Sequence, residues 1–277
     1  MRIYKNFGIL SKSSIVIIGG TGKIGRMLVK LLQDSGGKIF ICSRNLRKAE
    51  KIAKTLGVKA GDLNLIKTAN IVIISVPIET TIEVAVEAAE RMEGGLLIDV
   101  SSVKIGVADK ILAAIPSKLE YLSLHPLFGS GIRNFKGKNM VFIKLREGKL
   151  TNAMIEYLKW KKLNLIEASL EDHDKKMAAI QVMHHYAYIC LAVGLEEFAP
   201  INELINFSTT SFKTTLKQLK KISKNINVVL DIQKRNIYAF KARKKFLNIV
   251  NSLQNMDNEE IKKVMEHFLK FSRLDLK

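Results

Sequence analysis

Between residues 14 and 146, short runs of β-branched and other apolar residues alternate with segments whose apolar positions recur every three or four residues. Ile15-Val-Ile-Ile-Gly19, Lys38-Ile-Phe-Ile-Cys42, Asn70-Ile-Val-Ile-Ile-Ser75, Leu96-Leu-Ile-Asp-Val100 and Met140-Val-Phe-Ile143 predict buried strands, with a further one over 119–124. The segments 23–35, 46–56, 80–92 and 105–115 between them carry a helical period. Strands that are apolar throughout have both faces covered, so this half predicts a parallel sheet with helices on each side. Beyond residue 148 the period changes: 151–162, 172–197, 201–223, 228–253 and 258–271 predict helices, with no strand series among them. The expected organisation is an α/β domain over 1–148 and an all-α domain over 149–277 that completes its core by dimerisation.

Composition narrows the class. Hydrophobic residues make up 47% of the 277 and only four are proline, which excludes a largely disordered chain. Cys42 and Cys190 stand alone in apolar stretches, without the spacing of a disulfide framework or a metal site, and predict a reducing compartment and no metal. The first twelve residues lack the apolar core of a secretory signal. The longest apolar stretches, 71–77 and 186–195, fall short of the roughly 20 residues of a membrane span. A soluble, cytoplasmic protein with no membrane partner is expected.

The formal charge of +19 raises the question of a polyanionic partner. Basic residues are spread evenly, 23 in 1–148 and 22 in 149–277, with no basic tail and no interleaving with aromatic residues. Lysines on solvated helix faces account for that distribution, and no specific nucleic-acid binding is expected. A small ligand with several negative charges would profit from the same field.

Gly20-Thr-Gly-Lys-Ile-Gly25 follows the first strand directly and opens the first helix, where a G-x-G-x-x-G loop binds a dinucleotide. Gly20 is expected to permit the tight turn, Gly22 to admit the pyrophosphate and Gly25 to allow close helix–strand packing. Thr21, Lys23 and Ile24 complete the loop, whose helix end offers free N–H groups to phosphate. The second strand ends Phe40-Ile-Cys-Ser-Arg-Asn45, with no carboxylate for the ribose hydroxyls of NAD. Ser43 and Arg44 suit a 2′-phosphate instead, so NADP is favoured over NAD. Val76 and Pro77, in the loop after the strand at 70–75, complete the expected cofactor contacts.

Ligands of open α/β sheets bind outside the carboxyl ends of the strands. His125 ends the strand at 119–124, and a histidine there suits proton abstraction near neutral pH. His173 and His267 lie among charged residues and read as surface positions.

Asp99-x-x-Ser102-Val-Lys104 followed by His125-Pro-Leu-Phe-Gly129, behind the glycine-rich loop, resembles the prephenate dehydrogenase family. Gln181-Val-Met-His-His-Tyr-Ala187 is similar to that family's histidine-bearing helix, and Asp231-Ile-Gln-x-x-Asn236 to its late helix. The resemblance implies a Rossmann-like NADP-binding domain, an all-helical substrate and dimerisation domain, and a homodimer. It implies oxidative decarboxylation of prephenate to 4-hydroxyphenylpyruvate, the precursor of tyrosine, with hydride transfer to NADP. By the family pattern His125 takes the hydrogen bond of the 4-hydroxyl, Ser102 fixes that hydroxyl, and His185, rather than its neighbour His184, binds substrate. The family's carboxylate-binding arginine falls at Lys220, which can offer only a point charge. Either Lys220 substitutes for it, or the register differs, or the substrate does. Arogenate, which carries an amino group on the side chain, is the nearest alternative substrate. A two-domain NADP-dependent oxidoreductase of the β-hydroxyacid dehydrogenase type and a non-catalytic NADP-binding protein are the other readings.

Overall fold

The apolar runs form the strands of one sheet. In the computed structural model, which describes residues 8–132 and 134–271, these are β1 (Ser14–Ile18), β2 (Lys38–Cys42), β3 (Lys59–Gly61), β4 (Ile71–Ile74), β5 (Gly95–Asp99), β6 (Leu119–Pro126), β7 (Asn139–Arg146) and β8 (Asn164–Glu167). Their order is β3-β2-β1-β4-β5-β6-β7-β8. Strands β3 to β6 are mutually parallel, but β7 runs antiparallel to β6. The sheet is therefore mixed rather than wholly parallel. Among the described residues no helix lies between β6 and β7, and a parallel return requires a crossover connection.

Alternate residues of each strand supply two cores. Ile15, Ile17, Ile71, Ile73, Leu96 and Ile98 pack on one face, under α1 (Lys23–Leu32), α2 (Leu46–Leu56) and α5 (Lys149–Trp160). Val16, Ile18, Val72, Ile74 and Leu97 pack on the other, under α3 (Ile78–Arg91) and α4 (Ala108–Ala114). Strand order reverses between β1 and β4, which opens the crevice where such sheets bind dinucleotides.

Two compact units result: residues 8–176 with Leu230–Asn236, and Met177–Val229 with residues 237–271. The units divide at Lys176 and not at 148, because α5 covers the sheet and β8 extends it. Helices α6 (Leu170–Met177) and α10 (Ile226–Arg235) also carry residues of the first unit.

The second unit is helical. A π-helical turn (Ala178–Met183) leads into α7 (His184–Phe198), followed by α8 (Ile201–Asn206), α9 (Thr210–Ser223), α11 (Ala239–Leu253) and α12 (Asn258–Phe271). The expected helix over 201–223 breaks because Thr209 caps α9, its hydroxyl accepting the Phe212 N–H. Leu170–Phe198 is a continuous helical run of 29 residues that contains an 18-residue window with a mean hydropathy of 1.3, so by length and composition alone it could cross a membrane.

Candidate active site

Both strands flanking the crevice end in close approaches. The tight turn after β1 belongs to Gly19 rather than Gly20: Gly19 has φ +81°, and a Cβ there would meet the Ser75 carbonyl oxygen at 2.2 Å. At Gly20 a Cβ would strike Ile41 at 2.5 Å, so that glycine serves packing against β2. Gly25 lies against Gly19 and Gly20 as expected, with a Cβ 2.5 Å from the Gly19 carbonyl oxygen. Gly22 is the N-cap of α1 and supplies no side-chain cap, which leaves the first-turn N–H groups of Lys23 and Ile24 to an anion. Val76 and Pro77 follow β4, with Pro77 as the N-cap of α3. A Cβ on Gly19 would lie 3.2 Å from Val76 Cγ1, so the two loops meet.

Past β2, Thr21 Oγ1 donates to Ser43 Oγ at 3.4 Å, and Arg44 is exposed before Asn45, the N-cap of α2. The nearby Asp62 carboxylate caps its own turn, accepting the Asn64 N–H at 2.9 Å. The glycine loop, the open helix end and a β2 terminus without a carboxylate fit a dinucleotide. Cys42, beneath Ser43, is buried, and burial with the neighbouring Asp62 pushes its thiol up to about 11.

The carboxyl ends of β5 and β6 hold a chain of polar side chains. His125 is 4% exposed at the end of β6, and its Nδ1 lies 2.8 Å from His173 Nε2. His173 Nδ1 lies 2.7 Å from Asp174 Oδ1. The Asp174 carboxylate in turn accepts the backbone N–H groups of Lys104 and Ile105, each at 2.9 Å. Asn236 on the α10 segment donates to the Asp174 carbonyl oxygen at 2.9 Å. His173 is therefore not a surface residue; it is 2% exposed and joins His125 to a carboxylate. The signal for it was the helical spacing of 173, 174, 177 and 178, which begins the buried stripe that Val182 continues.

This chain fixes a tautomer. A carboxylate only accepts, so His173 Nδ1 carries the proton and neutral His173 offers Nε2 as an acceptor. His125 Nδ1 must then donate, leaving the lone pair on its Nε2, which no described residue bonds. Burial, then the positive charge of Lys104 and the neighbouring His173, hold the His125 pKa well below 6.5. Burial is also the main cause of the lowered value at His173, against the raising effect of Asp174. Both rings are neutral at pH 7.

Lys104 underlies the site with no exposed surface. Its Nζ lies 3.2 Å from Asp99 Oδ1 and donates to the Leu124 carbonyl oxygen at 2.9 Å. Tyr121 donates its hydroxyl to Asp99 Oδ2 at 2.9 Å. Burial alone would raise the Asp99 pKa, but the Lys104 ammonium and Ser101 outweigh it and keep the group ionised. Ser102 is part-buried in the loop after β5 and makes no hydrogen bond to His125.

In the second unit, His184 is exposed and His185 part-buried, with ring centroids 5.6 Å apart. His184 packs on Tyr188 at 5.0 Å. Lys220 is exposed on α9, and His267 is exposed on α12. Among the described residues no group of three potential metal ligands occurs.

Two family models match the chain: "Prephenate dehydrogenase, nucleotide-binding domain" over residues 28–145, and "Prephenate dehydrogenase, dimerization domain" over residues 169–271. The glycine loop precedes the first match, so its assignment rests on its own geometry. A probable arogenate/prephenate dehydrogenase of Methanocaldococcus jannaschii is 27% identical over 269 residues, which cover 93% of this chain and 60% of the relative. The T-protein of Enterobacter agglomerans is 29% identical over 210 residues, covering 75% and 52%. The chain thus spans between about half and three fifths of the length of these curated relatives. The fold matches a prephenate dehydrogenase of Aquifex aeolicus solved with hydroxyphenyl propionate and NAD+, at a TM-score of 0.76 and 20% identity, covering 97% of this chain and all of that one. It also matches a Synechocystis arogenate dehydrogenase, at a TM-score of 0.73 and 19% identity, covering 95% and 98%.

Proposed function

Because the chain belongs to the prephenate dehydrogenase family, we propose that it catalyses the oxidative decarboxylation of prephenate, or of arogenate, in the formation of tyrosine or its immediate precursor. The observation that carries this reading is the neutral, buried His125 with its free Nε2 at the carboxyl end of β6. A nicotinamide dinucleotide at the β1–α1 loop supplies the hydride acceptor.

In this reading His125 Nε2 accepts the hydrogen bond of the 4-hydroxyl and stabilises the charge that develops as hydride leaves the carbon bearing it. The bond to the ring carboxylate breaks, carbon dioxide departs, and its electron pair completes the aromatic ring. The phenol ends with its proton, so none is consumed. His173 and Asp174 position His125, and Ser102 orients the hydroxyl. His185 and Lys220 are assigned to substrate binding by the family pattern.

Ser43, Arg44 and the absence of a carboxylate after β2 support NADP as the preferred cofactor. The second unit supports a homodimer: Phe198 is 91% exposed, Phe207 88% and Phe240 72%, within the residues of the dimerization-domain match. The apolar window within Leu170–Phe198 then has a protein partner rather than lipid, and the free Cys42 and Cys190 suit the cytoplasm. Sedimentation of detergent-free protein at micromolar concentration as a dimer is expected, and a monomer would count against this assembly.

The test of the reaction is the growth of reduced-nicotinamide absorbance with prephenate and arogenate, each with NADP and with NAD. Turnover of at least one substrate, abolished in His125→Ala while NADP still binds, is expected. Tight cofactor binding without turnover of either substrate overturns the assignment.

A further inference from the structure

The outer face of α1 carries Lys23, Arg26 and Lys30, all exposed. They stand at i, i+3 and i+7, so the three cations form one row about 10 Å long. Like charges three and four residues apart disfavour a helix, and α1 has no acidic residue to offset them. Asp34, one turn beyond Lys30, is held by Lys161 at 2.7 Å. Among the described residues none of the three cations forms an ion pair with a carboxylate.

This row borders a groove of about 350 Å³ between α1 and α2, within the first unit. Met27 of α1, with Ile52 and Leu56 of α2, makes its apolar wall, and Ser130, in the loop between β6 and β7, completes it. Gln33, just past α1, donates its side-chain amide to the Leu56 carbonyl oxygen at 2.7 Å and ties the ends of the two helices together. Phe128 and Ile132, on either side of Ser130, anchor the loop on the core. The groove is therefore built by the fold itself, and its volume falls in the range of small-molecule sites. No carboxylate lines it, and Lys23 alone is shared with the cofactor loop.

Three uncompensated cations call for three or more negative charges. A phosphate monoester carries about −1.5 to −2 near neutral pH, so two of them match the row, whereas two carboxylates fall short. The Arg26 guanidinium can hold phosphate oxygens in a bidentate fork, and a lysine binds phosphate as a point charge. The apolar wall beside the row favours a carbon skeleton between the phosphates over a directly linked pair. We propose that this groove binds a small organic bisphosphate, with its phosphates along Lys23, Arg26 and Lys30 and its skeleton against Met27, Ile52 and Leu56. The proposal is independent of the reaction assigned above.

1,6-Hexanediol bisphosphate and inorganic pyrophosphate carry similar charge and differ in the skeleton. Both are titrated calorimetrically into the full chain with saturating NADP, which fills the pyrophosphate site of the glycine loop. The hexanediol compound is expected to bind once per chain and at least about tenfold more tightly than pyrophosphate. Arg26→Glu/Lys30→Glu should weaken it by about a hundredfold or more, since charge-assisted bonds are replaced by repulsion. Lys110→Glu/Lys118→Glu makes the same change of net charge at exposed residues on α4 and ahead of β6. At about 0.15 M ionic strength, where distant charges are screened, that variant should bind within about threefold of the wild type. No saturable binding in the wild type, affinity no better than that of pyrophosphate, or equal losses in the two double variants overturn the proposal. Because the comparison of the two probes needs no variant, it decides even where a variant fails to fold.

Discussion

His125 Nδ1 and His173 Nε2 share a hydrogen bond of 2.8 Å, and through it the Asp174 carboxylate decides which nitrogen of His125 is free. Asp174→Asn keeps the size of the side chain but adds a donor that can face His173. The His173 tautomer then loses its reference, and with it the lone pair of His125. Stopped-flow or steady-state kinetics should show kcat reduced by about 10²- to 10⁴-fold, the range of general acid–base catalysis, with KM little altered. A fall in KM affinity with kcat intact would mean that the relay holds substrate rather than the base.

Burial lowers the pKa values of His125, His173 and His185 below the ordinary 6.5. The unfolded chain therefore takes up protons from about pH 6.5 downwards at sites that the native chain keeps neutral. The native state is penalised as pH falls through that window, and the penalty is absent above it. Urea unfolding between pH 5 and 8 should show stability declining below about 6.5, with a shallower decline in His173→Gln. For the same reason the acid limb of kcat/KM should lie well below 6.5.

Lys104 and Asp99 are both fully buried. Lys104→Met leaves the Asp99 carboxylate charged and unpaired, at a cost of about 3–5 kcal/mol. Thermal unfolding should show a large drop in Tm, recovered in part by the double variant Lys104→Met/Asp99→Leu. Unchanged stability would mean that Asp99 is already protonated in the native chain.

Arg44 is the one residue at the end of β2 with a charge suited to a 2′-phosphate. Arg44→Asp should lower the ratio of kcat/KM for NADP over NAD by about ten- to a hundredfold, since a charge-assisted bond is replaced by repulsion. A ratio that does not move would place the 2′-phosphate elsewhere.

The sheet was legible because each central strand is apolar on both faces, a pattern that only a covered sheet satisfies. Strand β8 was not: it has four residues, two polar, and its side chains are part-buried or exposed, so it carries no period of its own and forms by pairing with β7. The glycine loop lies between β1 and α1 where the pattern puts it, but its turn was assigned to Gly20, since the sequence does not tell which of two adjacent glycines takes the positive φ. His125 was found from its strand end. His173 was missed because Glu171, Asp172, Lys175 and Lys176 surround it, and these charged neighbours hid a buried edge of α6.

The glycine loop and the His125-Pro126 turn are portable as short motifs, but the proton arrangement of His125 is not. It is set by His173, 48 positions along the chain, and by a carboxylate held in turn by the loop after β5. A protein given only the strand-end motif would inherit an imidazole free to choose either tautomer. Descent from a common ancestor, or a successful graft, must therefore carry three separate stretches of chain together, and a lineage that lost residue 174 would keep a recognisable motif without the base it advertises.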